Sequence, residues 1–236
     1  MELHSSERTE GGWQPRFTIA GETVLPSDGT EPTQQLAMSA ALSKAPRPAK
    51  SNDDLLNALA RYKFAARLLG GHDSVCQIGH DGSQGPEFVA DAVKSLAIFA
   101  DKAELASVSA WRYQTDLTIK IQAHDISRER LPASHNALYS FDALERIAPE
   151  KEDDVLRHMR ESLSSGSDVA IIGCPGRAGA SHDAEALHRR SGLQLQMLVS
   201  RHFSTVLMFS MVEADIQAGL LNGTDYFIAV ASSRRT

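Results

Sequence analysis

The sequence lacks most of the features that place a chain in a specialised class. Its 236 residues include two cysteines, 24 Lys and Arg against 30 Asp and Glu, and 6% aromatic residues. Two cysteines cannot form a disulfide scaffold, and the net charge of −6 argues against a protein that mainly covers nucleic-acid phosphates. No apolar run approaches the roughly 20 residues that span a bilayer. The N-terminal residues also lack the apolar stretch of a signal peptide. We therefore expect a cytoplasmic protein with no nucleic-acid or membrane partner.

The apolar fraction of 42% is enough to build a core, and the composition changes near residue 50. Five of the nine prolines lie before that point, and Pro46 and Pro48 stiffen the chain just ahead of it. The sequence therefore predicts an N-terminal extension and linker over 1–50, with a strand-like arm near Phe17, and a folded domain over 51–236.

Within 51–236, short apolar runs alternate with segments of helical periodicity. Residues 74–78, 95–99, 136–141 and 167–174 are typical of strands, and residues 86–94 and 151–163 of helices. The run 167–174 is almost continuously apolar, which is typical of a strand covered on both faces. This alternation predicts an α/β fold with a mainly parallel sheet and helices on both sides.

A glycine-bearing segment follows the first of these strands. Gly79, Gly82 and Gly85 have the spacing G-x-x-G-x-x-G and come just before a helix. Such a turn brings backbone N–H groups close to a nucleotide-like ligand, although the pattern alone is weak evidence. The segment lacks the Lys-Ser/Thr ending of a P-loop, so ATP or GTP hydrolysis is not predicted.

Several segments together resemble the class I S-adenosylmethionine-dependent methyltransferases. The entry helix and first strand of that family resemble residues 61–71 (RYKFAARLLGG) and 75–79 (VCQIG), and its fourth-strand motif resembles residues 139–147 (YSFDALERI). Residues 171–175 (IIGCP) are similar to its fifth strand, and residues 206–211 (VLMFSM) to a late strand of one bacterial subgroup. The resemblance covers about 53–232.

The resemblance implies a Rossmann-like, seven-stranded and mostly parallel sheet that ends in a hairpin with one antiparallel strand. S-adenosylmethionine would lie at the carboxyl ends of the first strands. The positions implied to contact it are Gly79, Asp81, Gly82, Gly85, Asp101, Asp125, Ile126 and Phe141. At Asp125 a contact near the adenine amino group and a simple turn cap are equally good interpretations.

Three of the implied cofactor positions depart from the family pattern. Gln77 stands where the first strand usually ends in an acid, so the charge that helps to hold the cationic end of the cofactor is missing. Asp81 replaces a glycine, which adds bulk and backbone strain where close approach is needed. Phe99 replaces the acid that usually grips the ribose hydroxyls, and Asp101 is the candidate substitute.

The acceptor side also departs from the family pattern. Arg146 stands where the subgroup has a histidine, and 212–218 lacks its Asn-Asp-Glu and His-Thr-Gly stretches. Asp142 and Glu145 remain weak candidates for an acid or base near an acceptor, although both are equally suited to capping or supporting roles.

No metal site is predicted. Histidine precedes aspartate at four places (His72, His80, His124 and His182), but neighbouring side chains point apart and no His-x₃-His or Cys-x₂-Cys spacing occurs. The sequence also contains no G-x-S-x-G nucleophile motif.

Two functional hypotheses follow. In the first, the protein has a methyltransferase fold but an impaired or inactive site, a pseudoenzyme that binds and supports an active, homologous methyltransferase in a hetero- or homo-oligomer. In the second, it is an active S-adenosylmethionine-dependent methyltransferase on a small molecule such as a sugar or a biosynthetic intermediate. We favour the first because the departures affect cofactor and acceptor positions alike.

Overall fold

The computed structural model describes residues 17–19, 22–24, 52–79, 85–101, 119–141, 143–164, 169–176 and 190–232. The chain divides into two compact units, residues 1–49 and 50–236. The described part of the first unit is an antiparallel hairpin of β1 (Phe17–Ile19) and β2 (Glu22–Val24), with Phe17 opposite Val24. The predicted Asp81, Gly82 and Asp142 lie outside the described residues.

The second unit contains helices α1–α4 and strands β3–β10. The helices are α1 (Asn52–Leu69), α2 (Pro86–Ala90), α3 (Glu152–Glu161) and α4 (Gly192–Val199). The strands are β3 (Val75–Ile78), β4 (Leu96–Ala100), β5 (Lys120–Ala123), β6 (Ala137–Phe141), β7 (Val169–Pro175), β8 (Thr205–Val212), β9 (Asp215–Ala218) and β10 (Tyr226–Ser232). Two short 3₁₀ turns, Leu144–Arg146 and Pro149–Lys151, precede α3.

The strands form one sheet in the order β5-β4-β3-β6-β7-β10-β8-β9. Strands β5, β4, β3, β6 and β7 are parallel, and β10 lies antiparallel between β7 and β8. The predicted α/β class with a mostly parallel sheet is therefore confirmed. The order reverses at β3, which is where a doubly wound sheet opens a crevice at its carboxyl edge.

The sheet has eight strands rather than the expected seven, because a hairpin after β8 adds β9 at the edge. Glu213 has a φ of 53° in that hairpin turn, a conformation that most side chains disfavour. Helix α2 also ends at Ala90, four residues earlier than predicted. The chain beyond it bonds instead to the turn after α1, where the Gly71 N–H donates to Ala92 O and the Lys94 N–H to His72 O.

Apolar side chains pack on both faces of the sheet. One face meets α1 and α2 through residues that include Tyr62, Leu69 and Val89, and the other meets α3 and α4 through Leu156 and Leu195. Alternate residues along a strand point to opposite faces, so Val75 joins the first cluster and Cys76 the second. Burial raises the pKa of the Cys76 thiol, which keeps it protonated. Among the described helices none is long and apolar enough to cross a bilayer.

Candidate functional site

The carboxyl end of β3 carries a buried glutamine where the resemblance implies an acid. Gln77 is 2% exposed. Its Nε2 donates to Gly79 O at 2.8 Å and lies 3.4 Å from the Tyr62 hydroxyl, and its Oε1 accepts from the Tyr139 hydroxyl at 2.7 Å. Each polar atom of the amide therefore has a partner inside the protein. The strand end presents a neutral side chain that is turned inward.

The turn after β3 keeps the backbone geometry that a glycine allows. Gly79 has a φ of +78°, and its N–H donates to Phe99 O at 2.8 Å, which joins the ends of β3 and β4. A residue with a Cβ would be strained in this conformation. The predicted glycine is therefore needed by the turn itself.

Gly85, just before α2, leaves room for an aromatic ring. A Cβ on Gly85 would lie 2.0 Å from Tyr62 Cδ2, so the ring of Tyr62 rests directly on the glycine backbone. The same ring makes edge contacts with Phe141 at 5.3 Å and with Tyr139 at 6.0 Å between centroids. The space that the missing Gly85 side chain leaves is thus occupied by Tyr62 from α1.

The position implied to grip the ribose belongs to the core on the opposite face. Phe99 is 5% exposed, and its ring lies edge-on to His124 at 5.9 Å and to His135 at 5.7 Å. His135 is itself buried, its Nδ1 lies 2.9 Å from Ser74 Oγ, and burial lowers its pKa. A phenyl ring offers no hydrogen-bond acceptor, so β4 carries no ribose ligand at this position. The candidate substitute Asp101 follows β4 directly and is exposed.

Asp125 caps the turn that follows β5. Its Oδ1 accepts from the Ser127 N–H at 3.0 Å and from the Ser127 hydroxyl at 2.6 Å, and its Oδ2 lies 2.9 Å from Arg128 Nε. The hydroxyl hydrogen bond is the main reason that the pKa of Asp125 is lowered. The neighbouring Ile126 is buried, and its carbonyl accepts from His158 Nδ1 at 2.8 Å. Both oxygens of Asp125 are therefore engaged locally.

The acceptor side contains buried charges. Glu145 lies in the first 3₁₀ turn and is 1% exposed. Arg190, just before α4, forms a buried ion pair with Glu152 at the start of α3. Burial lowers the pKa of Arg190, and the charge of Glu145 partly opposes that effect. The candidate acid or base Glu145 thus lies near the positive charge of Arg190.

Phe141 belongs to an aromatic cluster at the ends of β6 and β10. Its ring lies 6.5 Å from that of Tyr226, and Arg61 Cζ stands 4.1 Å from the Tyr226 centroid. This distance is within the range of a cation–π contact. The structure therefore brings Gly85 and Phe141 together around Tyr62, and Gln77 Nε2 lies between the Tyr62 hydroxyl and Gly79 O. Ile126 belongs to the core cluster on the opposite face.

Sequence reasoning missed Tyr62 and Tyr139 as parts of this site. Both are at most 1% exposed and lie in the segments 61–71 and 139–147 that carry the resemblance, but neither was named as a site residue. The signal that could have found them is chemical, because a buried tyrosine hydroxyl needs a partner, and the polar Gln77 contacts both hydroxyls.

Comparisons with known proteins were made at the levels of sequence and structure. No family model matches the sequence, and no curated protein matches it. Solved structures do match. N-methyltransferase NodS from Bradyrhizobium japonicum WM9, in complex with S-adenosyl-L-homocysteine, is 14% identical with a TM-score of 0.56, over 86% of this chain and 98% of that one.

Two further structures give the same result. An S-adenosylmethionine-dependent methyltransferase from Clostridium acetobutylicum is 8% identical with a TM-score of 0.57, over 86% of this chain and 100% of that one. A chain in the complex between the Haloferax volcanii Trm112 methyltransferase activator and the putative methyltransferase is 14% identical with a TM-score of 0.59. The match covers 78% of this chain and 92% of that one.

Together, the strand order and these likenesses define a doubly wound α/β protein. More specifically, the chain has the fold of the class I S-adenosylmethionine-dependent methyltransferases. At such low identity the likeness establishes the fold, and function has to be argued from the site.

Proposed function

We propose that this chain is a methyltransferase-fold protein with an impaired cofactor site, which works in the cytoplasm by binding and supporting an active methyltransferase of similar fold. The observation that carries the proposal is the environment of Gln77, which is neutral, 2% exposed and hydrogen-bonded inward. S-adenosylmethionine has a cationic sulfonium and amino group, and neither the residues of β3 nor Gly79 after them supply an opposite charge for either.

The β4 position adds to this argument. An acid gripping two hydroxyls contributes about 1.5–3 kcal/mol for each charge-assisted hydrogen bond. Phe99 supplies none of that stabilisation, and its ring is fixed between His124 and His135. Weakened binding at two separate groups of the same cofactor is expected to reduce affinity by several orders of magnitude.

The support for a partner is weaker and comes from the surface. Leu193 and Met197 on α4 are 57% and 59% exposed, and Leu220 in the loop after β9 is 42% exposed. A Cβ on Gly192 would lie 2.4 Å from Leu220, so that loop meets the start of α4. Apolar side chains grouped on a surface are typical of interaction sites. A match to a methyltransferase that forms a complex with an activator agrees with this view.

The second candidate is an active S-adenosylmethionine-dependent methyltransferase on a small molecule. It is favoured by Asp101, which is exposed and follows β4, and by Gly79, whose φ of +78° a glycine adopts without strain. In this candidate Asp101 would take over the ribose hydroxyls, and Asp142 or Glu145 would serve as acid or base near the acceptor. Methyl transfer itself requires mainly in-line positioning.

The first test is a calorimetric titration of the full chain with S-adenosylmethionine and, separately, with S-adenosylhomocysteine. We expect no saturable binding of either compound in the micromolar range. Micromolar binding of S-adenosylmethionine would reject the impaired site. If such binding is observed, the Asp101→Asn variant tests the second candidate. It should abolish the binding only if Asp101 holds the ribose hydroxyls.

The second test addresses the partner. The tagged chain is purified from its native host, and bound proteins are identified and assayed for methyl transfer with and without this chain. We expect a bound methyltransferase whose activity or thermal stability falls when the chain is removed. A chain that purifies alone and leaves every host methyltransferase unchanged would contradict the supporting role.

A further inference from the structure

A polar groove of about 570 Å³ lies between the turn after β5 and helix α3, on the sheet face opposite to α1. Its walls consist of charged and hydrogen-bonding side chains: Asp125, Ser127, Arg128, Lys151, Asp154, Arg157 and His158. The structure gives every hydrogen bond and ion pair that these seven side chains make. The polar atoms that lack a partner among the described residues can therefore be named.

His158 is the most buried polar residue of the groove. The residue is only 7% exposed, yet its side chain lines the groove. Its Nδ1 lies 2.8 Å from Ile126 O. A carbonyl oxygen only accepts, so Nδ1 carries the proton and the neutral ring has its lone pair on Nε2. Within the described part of the chain Nε2 has no hydrogen-bond partner. The wall thus holds an oriented hydrogen-bond acceptor that the fold does not use.

Lys151 supplies unused positive charge beside this ring. Lys151 is the N-cap residue of α3, and its spacing of three and seven residues to Asp154 and His158 places all three on the same side of the helix. Asp154 pairs with Arg157 at 2.8 Å, whereas Lys151 makes no ion pair with any described residue. The charge of Lys151 also contributes to the lowered pKa of Asp154, after the larger effect of the hydrogen bond from Arg157.

The groove has the opposite charge balance to the whole chain. Three cations (Arg128, Lys151 and Arg157) face two carboxylates (Asp125 and Asp154), while the chain carries a net charge of −6. Arg128 pairs with Asp125, and Arg157 pairs with Asp154 and Glu161; each side chain in these ion pairs is at least 38% exposed. Such pairs contribute little to stability, so an incoming anion can share both guanidinium groups.

We propose that this groove binds a hydroxyl-bearing phosphate monoester, of which sugar phosphates are the typical small-molecule class. The phosphate group forms an ion pair with Lys151 and accepts hydrogen bonds from Arg128 and Arg157. A hydroxyl of the same molecule donates to His158 Nε2. Two kinds of unused group, a cation and an acceptor, select a ligand that carries both an anion and a donor. The groove shares Asp125 with the implied cofactor positions, but the proposal rests on Lys151 and His158, which are not among them.

Other ligand classes fit the groove less well. The described residues contain no group of three or more metal-binding side chains, which argues against a cation there. The walls contain no large apolar side chain, so an apolar ligand would have no surface to cover. A bare anion would leave the acceptor on His158 unused, and a neutral sugar would leave Lys151 unpaired.

The test is a titration of the full chain with glucose 6-phosphate at constant ionic strength, followed by calorimetry and by long-range ¹H–¹⁵N spectra of the imidazole rings. We expect saturable binding with a shift of the His158 resonances, and weaker binding of both glucose and inorganic phosphate. Lys151→Gln should weaken binding by about tenfold or more. Lys120→Gln, which removes the same charge from an exposed position on β5, should leave binding unchanged.

The outcomes that overturn the proposal are specific. No saturable binding at millimolar glucose 6-phosphate rejects the site, and equal weakening by Lys151→Gln and Lys120→Gln reduces it to general charge attraction. Inorganic phosphate that binds as tightly as glucose 6-phosphate rejects the role of His158. Should Lys151→Gln unfold the chain, His158→Asn tests the other half of the site, since its amide can still donate to Ile126 O but leaves no acceptor at the position of Nε2.

Discussion

The ends of β3 and β4 depart from the methyltransferase pattern in two different ways. At the end of β3 one polar side chain replaces another, and Gln77 keeps a full set of hydrogen bonds with Gly79, Tyr62 and Tyr139. At the end of β4 an aromatic side chain replaces a polar one, and Phe99 has become part of the core between two histidines.

This difference separates a change of charge from a change of packing. Gln77 is neutral and its polar atoms are satisfied locally, whereas Phe99 is part of the core. Under the proposed function, the first change removes an electrostatic partner of the cofactor, and the second removes a ribose ligand in favour of packing. An acid at position 77 would then need little rearrangement, whereas an acid at position 99 would need repacking of the core.

The largest expected effect is at Phe99. Phe99→Ala should lower the free energy of unfolding by about 3–5 kcal/mol, because it leaves a cavity beneath β4. Leu207→Ala is the control, since Leu207 is 57% exposed and its truncation should change stability by no more than about 0.5 kcal/mol. Urea denaturation measures both. Equal midpoints for the two variants would mean that Phe99 is not a core residue.

The contact between Gly85 and Tyr62 gives a smaller but sharper effect. Gly85→Ala places a Cβ against the Tyr62 ring and should cost about 1–3 kcal/mol. The same substitution in a Tyr62→Ala background should cost almost nothing, because the ring is gone. Denaturation of the four proteins of this double-mutant cycle measures the coupling. A cost that persists without the ring would place the conflict elsewhere.

Gln77→Glu tests the end of β3 directly. The carboxylate would face Gly79 O in a site that is 2% exposed, so we expect a loss of about 1–3 kcal/mol at pH 7. Burial raises the pKa of a carboxyl group above its unfolded value, so the protonated form is favoured in the folded state. The loss should therefore be small at pH 4 and grow as the pH rises.

The exposed Gln122→Glu is the matched control for that variant, because Gln122 lies on the outer strand β5. Thermal melts of both proteins between pH 4 and pH 7 provide the comparison. A pH-independent difference between Gln77→Glu and the wild type would show that the amide is not enclosed by its partners.

The smallest effect concerns His135. Burial lowers its pKa, whereas the unfolded chain has the ordinary value of about 6.5. The unfolded state therefore binds the proton first, and the contribution of this group to stability is complete above pH 6.5 and is lost as the pH falls. His135→Gln should flatten the fall in stability between pH 7 and pH 5. Urea denaturation across this pH range measures the slope, and an unchanged slope in His135→Gln would contradict the assignment.

Much of the fold followed from local patterns. Apolar runs predicted β3, β6 and β7 to within two residues, because buried parallel strands carry continuous apolar sequence. The predicted end of α2 was wrong because a long-range backbone hydrogen bond, from the Gly71 N–H to Ala92 O, holds the residues after Ala90 outside the helix. Strand β9 was not predicted because Asp215–Ala218 has little apolar character and depends on its pairing with β8.

The site was less accessible to sequence reasoning. The sequence revealed which residues are unusual, among them Gln77 and Phe99, since their side-chain chemistry differs from the family pattern. It could not show that Tyr62 covers Gly85 or that Phe99 contacts His135, because those contacts join residues 23 and 36 positions apart. Cofactor contacts at Gly79, Gly85, Asp101 and Phe141 stay a prediction.

The most direct test of the account is a crystal structure of the full chain grown with millimolar S-adenosylhomocysteine. We predict no nucleoside density at the ends of β3 and β4, with the Gln77 amide still bonded to Gly79 O and the Phe99 ring still between His124 and His135. An ordered nucleoside at that edge, with its ribose hydroxyls on Asp101, would contradict the account and identify a working cofactor site.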